Sequence, residues 1–246
     1  MSGRGVRVRW SRSWVSTYEP AAAGRLSRRT QAHLSILRPV YSVAVSVQSV
    51  RDAYSSMSEQ YIALFDGGWQ AHVGDTALVG GHLAGLDGAV LDLGCGPGHW
   101  TAYLHSLGVD VTGIDLVREF IDHARANFPG PAFRLGSMTE LDVPDHSVVG
   151  ILSWYSTIHL PPPELDQVLT EFRRMLTPSG RLVIGFFDSD DEVAAFDHKV
   201  LTAYRWPVDE FAALLTKAGF TELQRLRQQF PDRPDRRYAA IAASAT

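Results

Sequence analysis

The stretch from Val90 to Gly98 combines one carboxylate, Asp92, with three closely spaced glycines. Glycine adopts positive φ angles without steric cost, and its missing Cβ lets a ligand approach the main chain. An apolar strand that runs into such a turn and then into a helix forms the crevice where open α/β sheets bind ligands, and amide groups at a helix N-terminus suit a carboxylate. Glycines alone are a weak signal, because many loops need them for geometry. The turn therefore predicts a ligand site only together with a second feature.

Asp115 supplies that second feature. It follows the next apolar stretch, Val111 to Ile114, about 20 residues beyond the glycines, where a carboxylate can accept hydrogen bonds from both hydroxyls of a ribose. Leu116, directly after Asp115, is assigned to the same site. The turn and Asp115 together predict a nucleoside ligand. The alternative is that Asp115 caps the following helix, for which aspartate is well suited, and the two roles are compatible.

The form of the turn distinguishes between nucleoside cofactors. A dinucleotide site has the pattern GxGxxG, whereas this turn reads GxGxG and follows Asp92. It resembles the class I S-adenosylmethionine-dependent methyltransferases, whose first motif is an acidic residue followed by xGxGxG, and residues 92–98 match every defined position. The resemblance implies S-adenosylmethionine as cofactor and S-adenosylhomocysteine as product. This cofactor has no pyrophosphate, but it has an ammonium group that Asp92 can attract directly or through water.

The resemblance extends over residues 50–244 and implies further cofactor contacts. In the family, the loop after the third strand brackets the adenine. Here Ser137 stands where an aspartate is frequent, and Met138 can lie against the ring. The end of the fourth strand lies beside the methionine part, which assigns Ser153 and Trp154 to the cofactor, with core packing as the alternative for Trp154. The predicted cofactor-binding residues are Tyr54, Tyr61, Asp92, Gly94, Cys95, Gly96, His99, Asp115, Leu116, Ser137, Met138, Ser153 and Trp154.

Methyl transfer mainly requires aligned reactants in a site without water, and a general base helps when the acceptor is a hydroxyl or a protonated amine. Histidine titrates near neutral pH, and His159, shortly after the fourth strand, is the predicted base. Tyr155 is predicted to orient the acceptor. His99 is placed near the cofactor carboxylate, and His198 could reach the acceptor from above. For each of these side chains, a surface, capping or core role is the alternative.

Alternating strands and helices must position these residues. Apolar runs followed by amphipathic segments predict a doubly wound α/β fold with a mostly parallel, seven-stranded sheet and helices on both faces. Two late strands joined by a short turn predict an antiparallel terminal hairpin, and the family resemblance implies the strand order 3-2-1-4-5-7-6. The predicted strands are 89–93, 109–114, 132–135, 148–153, 181–187, 221–230 and 238–244.

Three segments fall outside this alternation. Residues 1–45 are basic and lack apolar periodicity, which predicts a disordered arm or an upstream extension ahead of a methyltransferase domain at 46–246. Within the domain, 46–85 is predicted to form a helical cover over the site, and 188–206 an insertion near it. Aromatic rings of the cover would stabilise a cationic sulfonium. The aromatic residues that could close over the cofactor are Tyr54, Tyr61 and Trp69.

The charge distribution favours a small-molecule acceptor. The 246 residues carry a formal charge of -4, but residues 1–40 hold eight of the 23 Lys and Arg residues and only one acid, which leaves an acidic body. Such a body repels phosphate backbones, so no nucleic acid partner is expected. The single cysteine and the lack of zinc-ligand spacing fit a cytoplasmic protein without a metal site, and no run of residues is apolar enough to span a membrane. The sequence does not indicate an oligomeric state.

Two other functions use the same features. A non-catalytic protein could keep the nucleoside pocket to sense the cofactor, and an oxidoreductase could bind NAD there. The GxGxG turn and the terminal hairpin argue against the oxidoreductase. The polar edge from Tyr155 to His159 favours an enzyme over a sensor.

Overall fold

The computed structural model of the protein describes residues 46–66, 71–229 and 236–246. The arm predicted at 1–45 and the candidate residue Trp69 lie outside the described residues. The helices are α1 (Val47–Ser56), α2 (Ser58–Asp66), α3 (Val73–Leu83), α4 (His99–Ser106), α5 (Arg118–Asn127), α6 (Pro162–Met175) and α7 (Val208–Lys217). The strands are β1 (Val90–Leu93), β2 (Val111–Asp115), β3 (Ala132–Leu135), β4 (Val148–Trp154), β5 (Leu176–Ser189), β6 (Ala194–Asp197), β7 (Thr202–Pro207), β8 (Phe220–Gln229) and β9 (Arg237–Ala245).

The sheet has the predicted order. Strands β3, β2, β1, β4 and β5 are parallel neighbours, and β9 returns antiparallel along β5 with Ile184 opposite Ile241. β8 then pairs antiparallel with β9. Since β8 and β9 are the sixth and seventh predicted strands, the order 3-2-1-4-5-7-6 is confirmed. The carboxyl ends of β1, β2 and β4 lie side by side, at the sheet edge where α/β proteins bind ligands.

The insertion at 188–206 adds to the sheet, although its sequence matched no core element. β6 and β7 form an antiparallel hairpin, and β7 pairs parallel with the end of β5, with Phe187 opposite Arg205. At Phe187 the other edge of β5 is occupied by β9, so β7 lies on the β4 side, just beyond the carboxyl end of β4. The amide of Tyr204 donates to the carbonyl of Ile158 at 2.8 Å. The hairpin therefore borders the loop that follows β4.

Helices cover both faces of the sheet. On one face, α6 buries Leu165, Leu169 and Phe172 at three- and four-residue spacing, which forms one apolar stripe. On the same face, Phe211 of α7 stacks on Phe186 of β5 with ring centroids 3.9 Å apart. Burial of a side chain of this size contributes about 1.5–3 kcal/mol. The strand ends that carry the site are thus held by a packed core.

Helix α3 belongs to the core. Its residues Leu78, Val79 and Leu83 are buried, and it contacts β4, β5, β8 and β9. The cover predicted over 46–85 therefore reduces to α1 and α2, because the apolar stripe of α3 faces the sheet. Within the described ranges, no helix is long and apolar enough to cross a bilayer.

Candidate active site

Packing explains two of the three glycines in the turn, and the third faces open space. Gly94, Gly96 and Gly98 have φ angles of +77°, +53° and +96°, in the left-handed region that other residues rarely adopt. A Cβ on Gly94 would lie 2.2 Å from the Cβ of Ser156, and one on Gly98 would lie 2.8 Å from a side chain of α5. A Cβ on Gly96 would come within 4 Å of only one described side chain, that of Tyr61, at 3.9 Å. Gly96 is therefore the point at which a ligand can approach the main chain.

The amide groups of the turn are held by the end of β2. Gly94 and Cys95 both donate to the carbonyl of Ile114, at 2.7 and 3.1 Å, and Gly96 donates to Oδ2 of Asp115 at 2.8 Å. These three amides therefore already have acceptors in β2. The prediction that amides at the N-terminus of the next helix receive a carboxylate concerns α4, which begins at His99, and stays a prediction. The thiol of Cys95 is buried, which raises its pKa, so this residue serves as a small side chain in a tight turn.

Asp92 lies beneath the turn and is 1% exposed. Its Oδ2 accepts a hydrogen bond from Oγ1 of Thr101 in α4 at 2.6 Å, and burial raises the pKa of Asp92 to about 7. In this structure Oδ2 is thus engaged by α4, and contact of Asp92 with a cofactor ammonium, directly or through water, stays a prediction. Thr101 can approach so closely because Gly113 lacks a Cβ, which would lie 2.6 Å from Oγ1. Sequence reasoning missed both Thr101 and Gly113.

Asp115 joins the turn to the start of α5. Its Oδ2 accepts from the Gly96 amide, and its Oδ1 accepts from the amide of Val117 at 2.9 Å. Burial raises its pKa to about 6, against the effect of these amides and that of Leu116. Each carboxylate oxygen has more than one lone pair, so both oxygens can also accept a ribose hydroxyl. The alternative, that Asp115 caps the following helix, is wrong, because the N-cap of α5 is Val117 and no described side chain caps it. Asp115 instead bonds the amide of Val117, which leaves acceptor capacity beside Gly96.

The loop after β3 reaches the same place. The amide of Gly136 donates to the carbonyl of Asp115 at 2.9 Å, and Oγ of Ser137 lies 2.8 Å from Oγ1 of Thr139. The methyl group of Met138 lies 3.3 Å from the position of a Cβ on Gly94. Ser137 and Met138 are thus brought to the turn, as their predicted place beside the adenine requires.

Ser153 and Trp154 are less suited to their predicted role. Ser153 is fully buried, and its hydroxyl lies 2.8 Å from that of Ser156, which donates to the carbonyl of Leu93 at 2.6 Å. Cofactor contact by Ser153 stays a prediction, since its hydroxyl is engaged by Ser156 in this structure. Ser156, which the sequence analysis missed, bonds β1 and lies against the turn. The ring of Trp154 packs 5.1 Å from that of Trp100 in α4, which favours the core-packing alternative.

Tyr155 adopts a left-handed backbone conformation, with φ of +55°. For a bulky side chain this conformation costs about 1–2 kcal/mol, and it is held by the hydrogen bond from the Tyr155 amide to the carbonyl of Gly185 at 3.1 Å. The ring lies 5.6 Å from Phe187 and 5.8 Å from Tyr238. Burial raises the pKa of Tyr155, so its hydroxyl keeps its proton. Among the described aromatic residues, the ring of Tyr155 packs on Trp154, Phe187 and Tyr238. It was predicted to face the acceptor together with His159, which is not among these contacts.

His159 is held from two sides. Its Nδ1 lies 2.8 Å from the carbonyl of Thr202 in β7, and its Nε2 lies 3.0 Å from the hydroxyl of Tyr54 in α1. A carbonyl only accepts, so Nδ1 carries the proton. Burial lowers the pKa of His159, which keeps the ring neutral and leaves a lone pair on Nε2. The hydroxyl of Tyr54 donates to that lone pair.

The cover places Tyr54 and Tyr61 above the turn. Their rings meet edge to face at 5.6 Å, and both pack on Phe120 of α5. Tyr61 is the ring that lies over Gly96. Burial and the charge of Asp115 raise the pKa of Tyr61 to about 12. The two cover tyrosines therefore connect the turn with His159.

His99 begins α4 and packs under the cover. Its ring lies 5.3 Å from Phe65 of α2 and 5.3 Å from Phe128. Burial lowers its pKa, although the charge of Asp66 opposes this. These contacts place His99 between α2 and the end of α5, at the side of the turn rather than above Gly96.

The segment that builds this edge has known relatives. Residues 90–180, from β1 to the start of β5, match the family model described as a methyltransferase domain. This segment of the chain is similar to methyltransferases that use S-adenosylmethionine, and a solved structure similar to the chain holds S-adenosylhomocysteine.

Individual relatives match only part of this chain. An uncharacterised methyltransferase of Mycobacterium tuberculosis is 33% identical over 104 residues, which are 42% of each chain. The malonyl-[acyl-carrier protein] O-methyltransferase of Yersinia pestis is 30% identical over 142 residues, which are 55% of this chain and 49% of the relative. The chain therefore spans less than half the length of these relatives.

One solved structure is similar over most of its length. It is the 1,6-didemethyltoxoflavin N1-methyltransferase of Burkholderia thailandensis, with its acceptor and S-adenosylhomocysteine bound. The two chains are 26% identical, with a TM-score of 0.69, over 81% of this chain and 88% of that one. The similarity thus includes the elements that carry the edge described above.

The described residues fit the cofactor of these methyltransferases. Gly96 leaves the main chain open, Asp115 has lone pairs for ribose hydroxyls beside it, and Met138 borders the turn on the side of β3. Tyr54 and Tyr61 offer aromatic faces on the opposite side of the crevice. Asp92 contributes from beneath, by tying α4 to β1.

Proposed function

We propose that this protein transfers a methyl group from S-adenosylmethionine to a small-molecule acceptor, with His159 as the general base. One observation carries this proposal: a continuous row of contacts leads from the turn to the histidine. Tyr61 lies over Gly96, Tyr54 packs on Tyr61, and the hydroxyl of Tyr54 bonds Nε2 of His159. The base and the expected ribose ligand, Asp115, therefore belong to one crevice.

The neutral protonation state of His159 suits a general base. When bound, the cofactor supplies a methyl group on a positively charged sulfur, an activated leaving group. A hydroxyl or protonated amine on the acceptor must lose a proton, and the lone pair on Nε2 can take it. The Thr202 carbonyl stabilises the imidazolium that results, because it already accepts from Nδ1. Tyr54 holds Nε2 until the acceptor replaces it as the hydrogen-bond donor.

The surroundings of His159 favour a small acceptor over a polymer. The α1 and α2 helices cover the crevice on one side, and the β6–β7 hairpin borders it on another. Enclosure of this kind excludes water, which strengthens electrostatic interactions in the site. The acidic charge of the body also opposes a nucleic acid. The similar Burkholderia enzyme, which acts on 1,6-didemethyltoxoflavin, provides a precedent on the same scaffold.

Calorimetric titration and a turnover assay test the proposal together. The chain should bind S-adenosylhomocysteine and not NADH, and it should release S-adenosylhomocysteine with at least one acceptor from a panel of phenols, amines and carboxylates. His159→Ala should lower turnover more than cofactor affinity, whereas His105→Ala, an exposed histidine of α4, should change neither. Binding of NADH alone would contradict the cofactor assignment. Tight binding of S-adenosylhomocysteine without turnover on any acceptor would instead support a sensor.

A further inference from the structure

A second concave surface lies beside the predicted acceptor site. It is a shallow surface depression at the junction of the β5 end, the β6–β7 hairpin and the start of β9. Its walls combine two aromatic rings with three guanidinium groups and one carboxylate. The residues that line it are Phe187, Asp188, Phe196, Arg205, Arg236 and Arg237. We call this surface the arginine cleft.

Acidic neighbours neutralise only part of the charge in the arginine cleft. Asp188, whose side chain is 2% exposed, pairs with Arg227 at 2.7 Å. Asp190 pairs with Arg237 and, at 3.6 Å, with Arg227. In the described part of the chain, neither Arg205 nor Arg236 has an acidic partner. Among the described residues, the arginines that line the cleft therefore outnumber the carboxylates that pair with them.

Arg205 is positioned so that its N–H groups remain available. Its guanidinium carbon lies 4.4 Å above the centre of the Phe196 ring, an arrangement that orders the planar group while leaving its edge free for hydrogen bonds. A guanidinium edge matches the two oxygens of a carboxylate or phosphate. The cleft thus has the donors of an anion site and the apolar walls of a site for a ring or chain.

The arginine cleft connects with His159 through His198. The ring of His198 lies 5.4 Å from that of His159 and 5.7 Å from that of Phe187, a cleft wall. Among the described residues, Nδ1 of His198 is buried without a hydrogen-bond partner. A buried polar atom without a partner is costly, and a ligand commonly supplies the missing bond. His198 therefore lies between the predicted base and Phe187, a wall of the arginine cleft.

We propose that the methyl acceptor carries a carboxylate or phosphate group, which binds Arg205 and Arg236 while the apolar body of the acceptor rests on Phe187 and Phe196. The reacting atom then lies towards His159, with His198 bonding the acceptor between the two ends. This inference rests on the proposed function and narrows its substrate class. Arg205 and Arg236 are, in these terms, residues that determine specificity.

The test uses binding of simple anions, which does not depend on turnover. Benzoate, phenyl phosphate and the neutral analogue benzamide are titrated into the full chain saturated with S-adenosylhomocysteine. At least one anion should bind about ten-fold tighter than benzamide, and its affinity should fall as salt rises. Arg205→Gln and Arg236→Gln should each weaken anion binding about ten-fold, as expected for loss of one charge-assisted hydrogen bond, and Arg205→Lys should retain part of the affinity.

A matched control and a folding measurement keep the test decisive. Arg134→Gln changes an exposed arginine of β3, at the opposite end of the sheet, and should leave anion binding unchanged. Thermal unfolding identifies variants that fail to fold. Where a variant does not fold, the salt dependence of anion binding by the wild-type chain tests the inference instead. Equal binding of benzoate, phenyl phosphate and benzamide would overturn the inference, as would wild-type anion affinity in the Arg205→Gln/Arg236→Gln double variant. Anion binding without methyl transfer to any acceptor would contradict the proposed function and leave the arginine cleft supported.

Discussion

Replacement of Asp115 by asparagine separates its two roles, because ligand binding and folding should respond differently. In the cofactor-free protein, each carboxylate oxygen accepts one backbone amide, from Gly96 and from Val117. Asparagine keeps one acceptor oxygen and turns an NH2 group towards the other amide. The amide that faces the NH2 group loses its acceptor, and a buried donor without a partner costs about 1–3 kcal/mol. Burial, however, raises the pKa of Asp115 from 3.8 to about 6 even with both amide hydrogen bonds in place. This is a net penalty of about 3 kcal/mol on the ionised form at neutral pH, which neutral asparagine does not carry.

These two effects on folding have similar size and opposite sign. The free energy of unfolding of Asp115→Asn should therefore stay within about 1.5 kcal/mol of the wild-type value. Cofactor binding has no such compensation. Loss of one charged acceptor for the ribose removes about 1.5–3 kcal/mol, so the dissociation constant for S-adenosylhomocysteine should rise about 10- to 100-fold.

Calorimetric titration with S-adenosylhomocysteine and urea denaturation measure the two quantities on the same preparations. Asp122→Asn, an exposed aspartate of α5, is the matched control and should alter neither. Wild-type affinity in Asp115→Asn would refute the ribose role. A loss of several kcal/mol in the free energy of unfolding would show that the hydrogen bonds of Asp115 to Gly96 and Val117 contribute more than the burial of its charge costs.

Three further predictions concern the turn, its buried acid and the base. Gly96→Ala should weaken binding of S-adenosylhomocysteine at least ten-fold, with a loss of about 1–2 kcal/mol in the free energy of unfolding. Gly94→Ala, whose Cβ would overlap Ser156, should instead lower the melting temperature strongly. Equal losses of affinity and stability in the two variants would contradict the open face at Gly96. Burial raises the pKa of Asp92 to about 7, above its unfolded value, so its contribution to stability is complete below about pH 4 and is lost as pH rises through 7. Asp92→Asn should remove this dependence in urea titrations. Tyr54→Phe removes a donor to neutral His159, so the acidic limb of the pH–rate profile should move to higher pH, and an unchanged profile would exclude their coupling.

The spacing of apolar residues and the residue types in the turns suffice to predict the main strands of this protein. The alternation of apolar strands and amphipathic helices predicts β1 to β4 and the β8–β9 hairpin to within two residues, because both faces of a parallel sheet must be buried. β5 begins five residues before its predicted start at 181. The pairing of Gly96 with Asp115 could also be anticipated, since consecutive parallel strands end at one edge. The hydrogen bond from the Gly96 amide to Asp115 makes that neighbourhood explicit.

Sequence reasoning missed contacts where a side chain can face either of two directions. Asp92 was expected to meet the cofactor, and its bond to Thr101 of α4 could not be anticipated from the sequence. Ser153 and Ser156 are both serines near the end of β4, and only the geometry of the turn decides that Ser156 lies against Gly94. Residues 188–206 lack a clean alternating pattern because β6 is a short edge strand, half exposed along its length.

The β6–β7 hairpin carries two separate contacts on one short strand. Thr202 supplies the carbonyl that fixes which nitrogen of His159 holds the proton, and Arg205, three residues further along β7, lines the arginine cleft. A shift of β7 along β5 would move both at once. Exchanging this hairpin for a different sequence should therefore alter substrate preference and the protonation of His159 together. New acceptors would be gained most easily by changes that preserve the position of the Thr202 carbonyl and vary the side chains around it.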